Sequence, residues 1–148
     1  MAQPDNREVI ARFYTALNAR RIEDLAALVD PDVIQEWPQS GERIRGLKNM
    51  CAVIENFPDP PRVDVQRILG DEDKWVLTPT WTPLRTSGTG DTYTCECRIA
   101  YPNGEVWSNV TIVKFRSGKV VHMTEYFAAP FPAAEWRAPW VEKIEPVR

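Results

Sequence analysis

The 148-residue sequence contains a single histidine, three cysteines, no run of basic residues and no long apolar stretch, and each shortage removes a class of function. His122 has no second histidine to join it, and Cys51, Cys95 and Cys97 do not make a recognisable ligand set, so a zinc site is not expected. The Cys95-x-Cys97 pair on a strand would point both thiols to one face, which fits buried free thiols. The net charge of -3 is spread along the chain, which argues against nucleic acid or an anionic membrane surface as the main partner. No apolar segment approaches the roughly 20 residues needed to span a bilayer. The polar stretch 1–7 lacks the apolar core of a signal peptide, so a cytoplasmic location is expected. No internal repeat is visible.

What is present is ordinary globular material, with 43% hydrophobic and 26% charged residues. That composition and length predict one domain over 1–148, with 128–148 as an extension rich in proline and tryptophan that wraps over the body or a partner. Asp5 followed by Glu8 has the form of a capping box, and Val9, Ile10, Phe13 and Leu17 recur at helical spacing, predicting a first helix over 6–19. Leu25, Leu28 and Val29 mark a shorter second helix, which Asp30-Pro31-Asp32 ends, leading to a strand over 33–37 closed by Pro38. Gly46 opens a third helix with a stripe of Leu47, Met50, Cys51 and Ile54. Strands are then expected over 62–69, 74–85, 92–101, 105–115 and 120–127, with a loop over 87–91 and one helical turn near 133–137. Three N-terminal helices followed by a long antiparallel sheet predict an α+β fold in which the helices close a curved sheet into a cone-shaped barrel.

The last strand carries an acid, Glu125, in the alternating row Val121, Met123, Glu125, Phe127. If that row faces a cavity, loss of hydration raises the pKa of Glu125 and makes it a candidate catalytic acid or base. A three-residue loop ending at Gly118 needs a left-handed backbone only at glycine. It pairs Phe115 with Lys119 and sets Asn109, Thr111 and Val113 opposite Glu125, Met123 and Val121. The resulting wall is mostly apolar with a few polar groups, the composition of a small-molecule pocket. The plainer reading is an Asn109–Glu125 pair on a solvated sheet face. A pocket of this kind would also collect Phe13 or Tyr14, Trp37, and Met50 or Ile54.

Two orientations remain open for Glu96 and Arg98. A type I turn at Pro102-Asn103 places them outward as an ion pair, whereas a type I′ turn at Asn103-Gly104 would turn them inward. His122 has the parity opposite to Glu125, which fits an outer-face or dimer-interface side chain better than a catalytic one. Val110 and Ile112 make the outer face apolar as well, so a homodimer through that face is expected.

The order of elements, with FYTALNARRIEDLAALVDPDVIQEWP near the start and FRSGKVVHMTEYF near the end, resembles the SnoaL-like branch of the nuclear transport factor 2 superfamily. The resemblance covers almost the whole chain and implies the same cone-shaped fold. Members include polyketide cyclases, ketosteroid isomerases, limonene epoxide hydrolases and non-catalytic binding or dimerisation modules. The isomerase-like proton shuttle would need a carboxylate and a phenol where this chain has Trp37 and Phe13. The hydrolase-like acid coincides with Glu125, but its Arg-x-Asp partner is met only by Arg98-Ile99-Ala100. The cyclase-like acid falls where Ala128 and Ala129 stand.

Two functions follow. One is an enzyme that needs no metal or organic cofactor, in which Glu125 moves a proton on an apolar, aromatic or polyketide-like molecule. Tyr14, Asn109 or Thr111 would orient its oxygen, and Trp37, Met50 and Met123 would complete the hollow. The other is a module that holds such a ligand without chemistry.

Overall fold

The computed structural model describes residues 5–57, 80–101 and 103–144. The expected strand over 62–69 and the first part of the one over 74–85 lie outside these residues. The chain order is α1 (Asn6–Asn18), α2 (Ile22–Leu28), β1 (Val29–Trp37), β2 (Glu42–Arg45), α3 (Leu47–Glu55), β3 (Thr80–Thr89), β4 (Thr92–Ala100), β5 (Val106–Arg116), β6 (Lys119–Ala128) and a 3₁₀ segment (Glu135–Trp140).

Helix α1 begins at Asp5, whose side chain accepts from the Arg7 N–H at 3.0 Å. Glu8 does not close the expected capping box; it pairs instead with Arg12 one turn on. The helix buries Val9, Ile10, Phe13, Tyr14, Ala16 and Leu17. Its end follows the Schellman pattern: Arg21 N–H reaches Ala16 O at 3.0 Å, and Arg20 N–H reaches Leu17 O at 3.1 Å, with Arg20 at φ 56°. Asp30-Pro31-Asp32 does not separate helix from strand as expected. β1 starts at Val29, and the triplet lies in an irregularity of its pairing with β6 between Val29 and Ile34, a position where a strand tolerates proline. The strand does end at Trp37, where Pro38 closes it as expected, but the turn through Gly41 then returns the chain as β2, which the sequence reading missed.

The six strands described form one curved, unclosed sheet in the order β2-β1-β6-β5-β4-β3, antiparallel except for the β1–β6 pair. Helices pack on its concave face, giving the cone-shaped α+β arrangement that the element order implied. The core lies between α1, α3 and the inward rows of the strands, with Leu25, Val29, Val33, Met50, Cys95, Cys97, Val120 and Met123 essentially inaccessible.

The β5–β6 hairpin differs from expectation in a way that preserves its faces. Its loop has two residues, Ser117 and Gly118, both with positive φ, and Arg116 pairs with Lys119. This is the type I′ geometry, whose twist suits the flanking strands well enough to hold a serine in the left-handed region. A bulge near Val121 then shifts the register once more, so that Thr111 pairs with Glu125, Val113 with Met123 and Asn109 with Phe127. Two one-residue slips restore parity, and the predicted residues still face inward although each partner has moved by two. Val121 leaves the inner row, and Val120 takes its place against Phe115.

The turn after β4 agrees with the type I reading: Tyr101 N–H bonds Glu105 O at 2.9 Å and Gly104 has φ 89°. Cys95, Cys97 and Ile99 therefore point inward, and all three cysteines are buried free thiols. Residues 87–89, expected in a loop, belong to β3 instead and pair with residues 92–94. Beyond β6, Phe131, Trp136, Trp140 and Ile144 are each at least 75% exposed, and the helical turn expected near 133–137 is the 3₁₀ segment.

Candidate functional site

The concave face, α1 and α3 line a partly open cavity of about 400 Å³. Aromatic side chains dominate its walls. Tyr14 stacks on Trp81 with centroids 6.0 Å apart, and Phe127 stands edge-on to Trp81 at 5.9 Å and to Trp37 at 6.4 Å. These contacts join α1, β1, β3 and β6, so the wall is continuous across segments distant in sequence. The rim near Trp37 is held by Gln39. Its side-chain amide donates to the Phe127 carbonyl at 2.6 Å and accepts from the Phe127 N–H at 2.5 Å, replacing the backbone pairing that Pro38 interrupts.

Glu125 lies among these rings, 4% exposed. Burial in apolar surroundings pushes its carboxyl up to about 7, and contributions from Gln35 and the Trp37 indole pull the other way by favouring the charged form. Gln35 Nε2 donates to Glu125 Oε1 at 2.5 Å. Trp37 Nε1 is oriented toward the carboxylate but has no hydrogen bond of standard geometry, and the Tyr14 hydroxyl is likewise buried without a standard partner. Burial raises the Tyr14 phenol far above its ordinary range, reinforced by the Cys97 and Cys95 thiols and by Glu125. Burial also raises the Cys97 thiol, to about 11. At neutral pH the site therefore holds a neutral phenol, neutral thiols and a carboxyl balanced between its two forms.

A helix-closed curved sheet around one inward acid is a fold with known relatives, and residues 10–123 match the SnoaL-like domain family. The chain belongs to the SnoaL-like family. Among solved structures, an NTF-2 like protein of unknown function from Burkholderia xenovorans LB400 is 34% identical over 95% of both chains, with a TM-score of 0.72. A proposed ketosteroid isomerase from Kribbella flavida DSM 17836 is 20% identical, covers 95% of this chain and 90% of its own, and has a TM-score of 0.76. IdmH, a proposed polyketide cyclase from Streptomyces antibioticus, is 19% identical over 84% of this chain and 92% of its own, with a TM-score of 0.61. No curated protein matches the sequence. The last two likenesses are of fold.

In this SnoaL-like domain, Tyr14, Trp37, Met50 and Glu125 line the cavity together. Asn109, Thr111 and Met123 are buried on the same inner face but are not among the lining residues. The Asn109–Glu125 pair of the plainer reading is not made, nor does Thr111 meet Glu125. Thr111 Oγ1 donates to Asn109 Oδ1 at 3.1 Å and Asn109 Nδ2 to the Tyr126 carbonyl at 3.0 Å, so the two satisfy one another and the backbone. The residue that does meet Glu125, Gln35, was missed. Its signal lay in the alternation Val33, Gln35, Trp37, which sets it on the same face as Trp37. Trp81 and Gln39 gave no such signal, since each reaches the cavity only through tertiary packing.

The outer face holds the remaining polar candidates. Glu96 pairs with Arg85 on β3 at 2.5 Å rather than with Arg98 on its own strand. His122 Nε2 lies 2.7 Å from Glu36 Oε1, while Arg43 holds Glu36 Oε2 at 2.8 Å. The Arg43 and His122 hydrogen bonds lower the Glu36 carboxyl, and none of these groups opens on the cavity. Among the described residues, no helix is long and apolar enough to cross a membrane.

Proposed function

We propose that this SnoaL-like protein takes a small apolar or aromatic molecule, of polyketide-like character, into the cavity and moves a proton on it with Glu125 as acid or base. The reading requires no metal or organic cofactor. The observation that carries it is a buried carboxyl, raised to about 7 by burial, that lines a largely aromatic cavity together with the Tyr14 hydroxyl, whose partners among the described residues are only the weakly bonding Cys97 and Cys95 thiols. A group balanced between its two forms at working pH serves proton transfer in either direction. The phenol supplies a donor for a ligand oxygen on which charge develops. The ketosteroid isomerase and polyketide cyclase activities proposed for two structural neighbours would fit such chemistry.

The test is Glu125→Gln against a panel of polycyclic ketones and epoxides, with binding followed by quenching of cavity tryptophan fluorescence. The substitution keeps the shape, so turnover of any panel member that the wild type converts should disappear while affinity stays within about tenfold. A variant that retains turnover would remove Glu125 from the chemistry. In a binding module no panel member is converted by either protein, and affinity alone is measured.

We also propose that the protein acts as a homodimer through the outer face of the sheet, where Val106, Val110 and Tyr126 are 38–43% exposed. An apolar sheet face needs a second cover. Sedimentation velocity at micromolar concentration should give a dimer, and Val110→Asp should shift it toward monomer. A wild-type monomer throughout that range contradicts the proposal.

A further inference from the structure

We infer that Gln35 is the positioning residue of the site, its side-chain amide holding Glu125 Oε1 inside the buried layer and leaving Oε2 for a ligand. The inference rests on the reading of Glu125 as the proton-transferring group. Its geometry is direct. The two side chains, 90 residues apart in sequence and both under 9% exposed, meet at 2.5 Å because β1 and β6 pair in parallel, with Gln35 beside Met123.

The chemistry of the amide matters here. An arginine or lysine at this position would lock the carboxylate in its charged form, and an apolar side chain would leave it neutral. A primary amide has a donor end and an acceptor end. It donates to the ionised carboxylate and, after rotation, accepts from the protonated acid, so both forms are held without an unpaired buried atom. A group that must gain and lose a proton in each cycle needs such a partner. The other groups near Glu125 cannot take this role. Tyr14 on α1, Cys97 on β4 and Tyr101 just after β4 are all held neutral by burial, and each is raised further by the Glu125 charge. Arg20, which follows α1, lines the cavity, and burial weakens its hold on its proton. Trp37 has a donor but no acceptor.

Carbon-13 NMR of glutamate-labelled protein, with Glu125 assigned by its loss in Glu125→Gln, reads the carboxyl directly. In Gln35→Met, which keeps the volume and removes the amide, the Glu125 titration should move up by about 1 pH unit, because the amide's bond to the charged carboxylate is stronger than its bond to the neutral acid and only the difference shifts the midpoint. In Gln35→Glu two facing carboxyls should share a proton and titrate in two steps, one below and one above the wild-type midpoint. In the wild type itself, the Gln35 side-chain NH₂ protons should shift in step with Glu125 ionisation, a reading that no variant's folding affects. A Gln35→Met midpoint equal to the wild type's, or Gln35 amide protons that ignore the titration, overturns the assignment. None of these readings needs turnover. A protein that shows these shifts and converts no substrate would lose the enzymatic reading and keep only the hold of Gln35 on the Glu125 carboxyl.

Discussion

Glu125→Gln is expected to be more stable than the wild type at pH 8 by about 3 kcal/mol, and nearly equal to it at pH 4.5. The sign follows from proton counts. In the unfolded chain the carboxyl ionises near 4.5, whereas in the folded protein it holds its proton up to about 7. Between these values the folded state binds more protons, so rising pH draws the equilibrium toward the unfolded chain, and the full cost is in place above pH 7. Glutamine carries no such cost. Thermal unfolding of the two proteins from pH 4.5 to 8 checks it: the difference in Tm should widen with pH to something on the order of 10 °C. Groups titrating alike in both proteins cancel in the difference. Curves that stay parallel across this range would mean that the carboxyl ionises in the fold without penalty, and the basis of the role proposed for it would go with it. If the proposed proton transfer holds, the variant should be both stabilised and inactive, the pattern expected where an active group is held against its own solvation.

The second large effect is expected at Gly88. It lies in β3 opposite Tyr93 with φ 134°, and a Cβ there would collide with the Thr92 carbonyl oxygen and come within 2.9 Å of Tyr93 Cα. Both are backbone atoms and cannot swing away. The Gly88 carbonyl also accepts from Arg7 at 2.8 Å, which ties the start of α1 to the β3–β4 turn. Gly88→Ala should therefore cost about 3 kcal/mol or more through backbone strain and overpacking combined. Urea denaturation would show this as a lower midpoint with an unchanged slope. A loss under about 0.5 kcal/mol would mean that the strand backbone relaxes freely there, as a surface substitution would.

Gly88 also explains why residues 87–91 resembled a loop. Ser87, Gly88, Gly90 and Asp91 are turn formers, and their composition hides that the first two are paired strand residues in which glycine serves close backbone approach. β2 was missed for a related reason, since Glu42–Arg45 offers four residues with one apolar side chain inward and no length over which alternation could register. The hairpin at Ser117-Gly118 misled because intrinsic cost argued against a left-handed serine, whereas the twist of two long strands favours the two-residue loop.

Short-range patterning settled a great deal on its own. The stripes of α1 and α3, the inward parity of Glu125, Met123, Thr111 and Asn109, and the outward parity of His122 all follow from the helical and strand periods, which depend only on neighbouring residues. The order of these elements is what pointed to the SnoaL-like fold. The site itself was decided elsewhere. That Gln35 rather than Asn109 meets Glu125, that Thr111 turns to Asn109, and that Trp81 and Phe127 complete the wall depend on a parallel β1–β6 pairing, two compensating register slips and contacts between distant strands. Parity survives a slip of two residues and partner identity does not, so the face of each side chain was legible in the sequence while its hydrogen bond belonged to the tertiary structure.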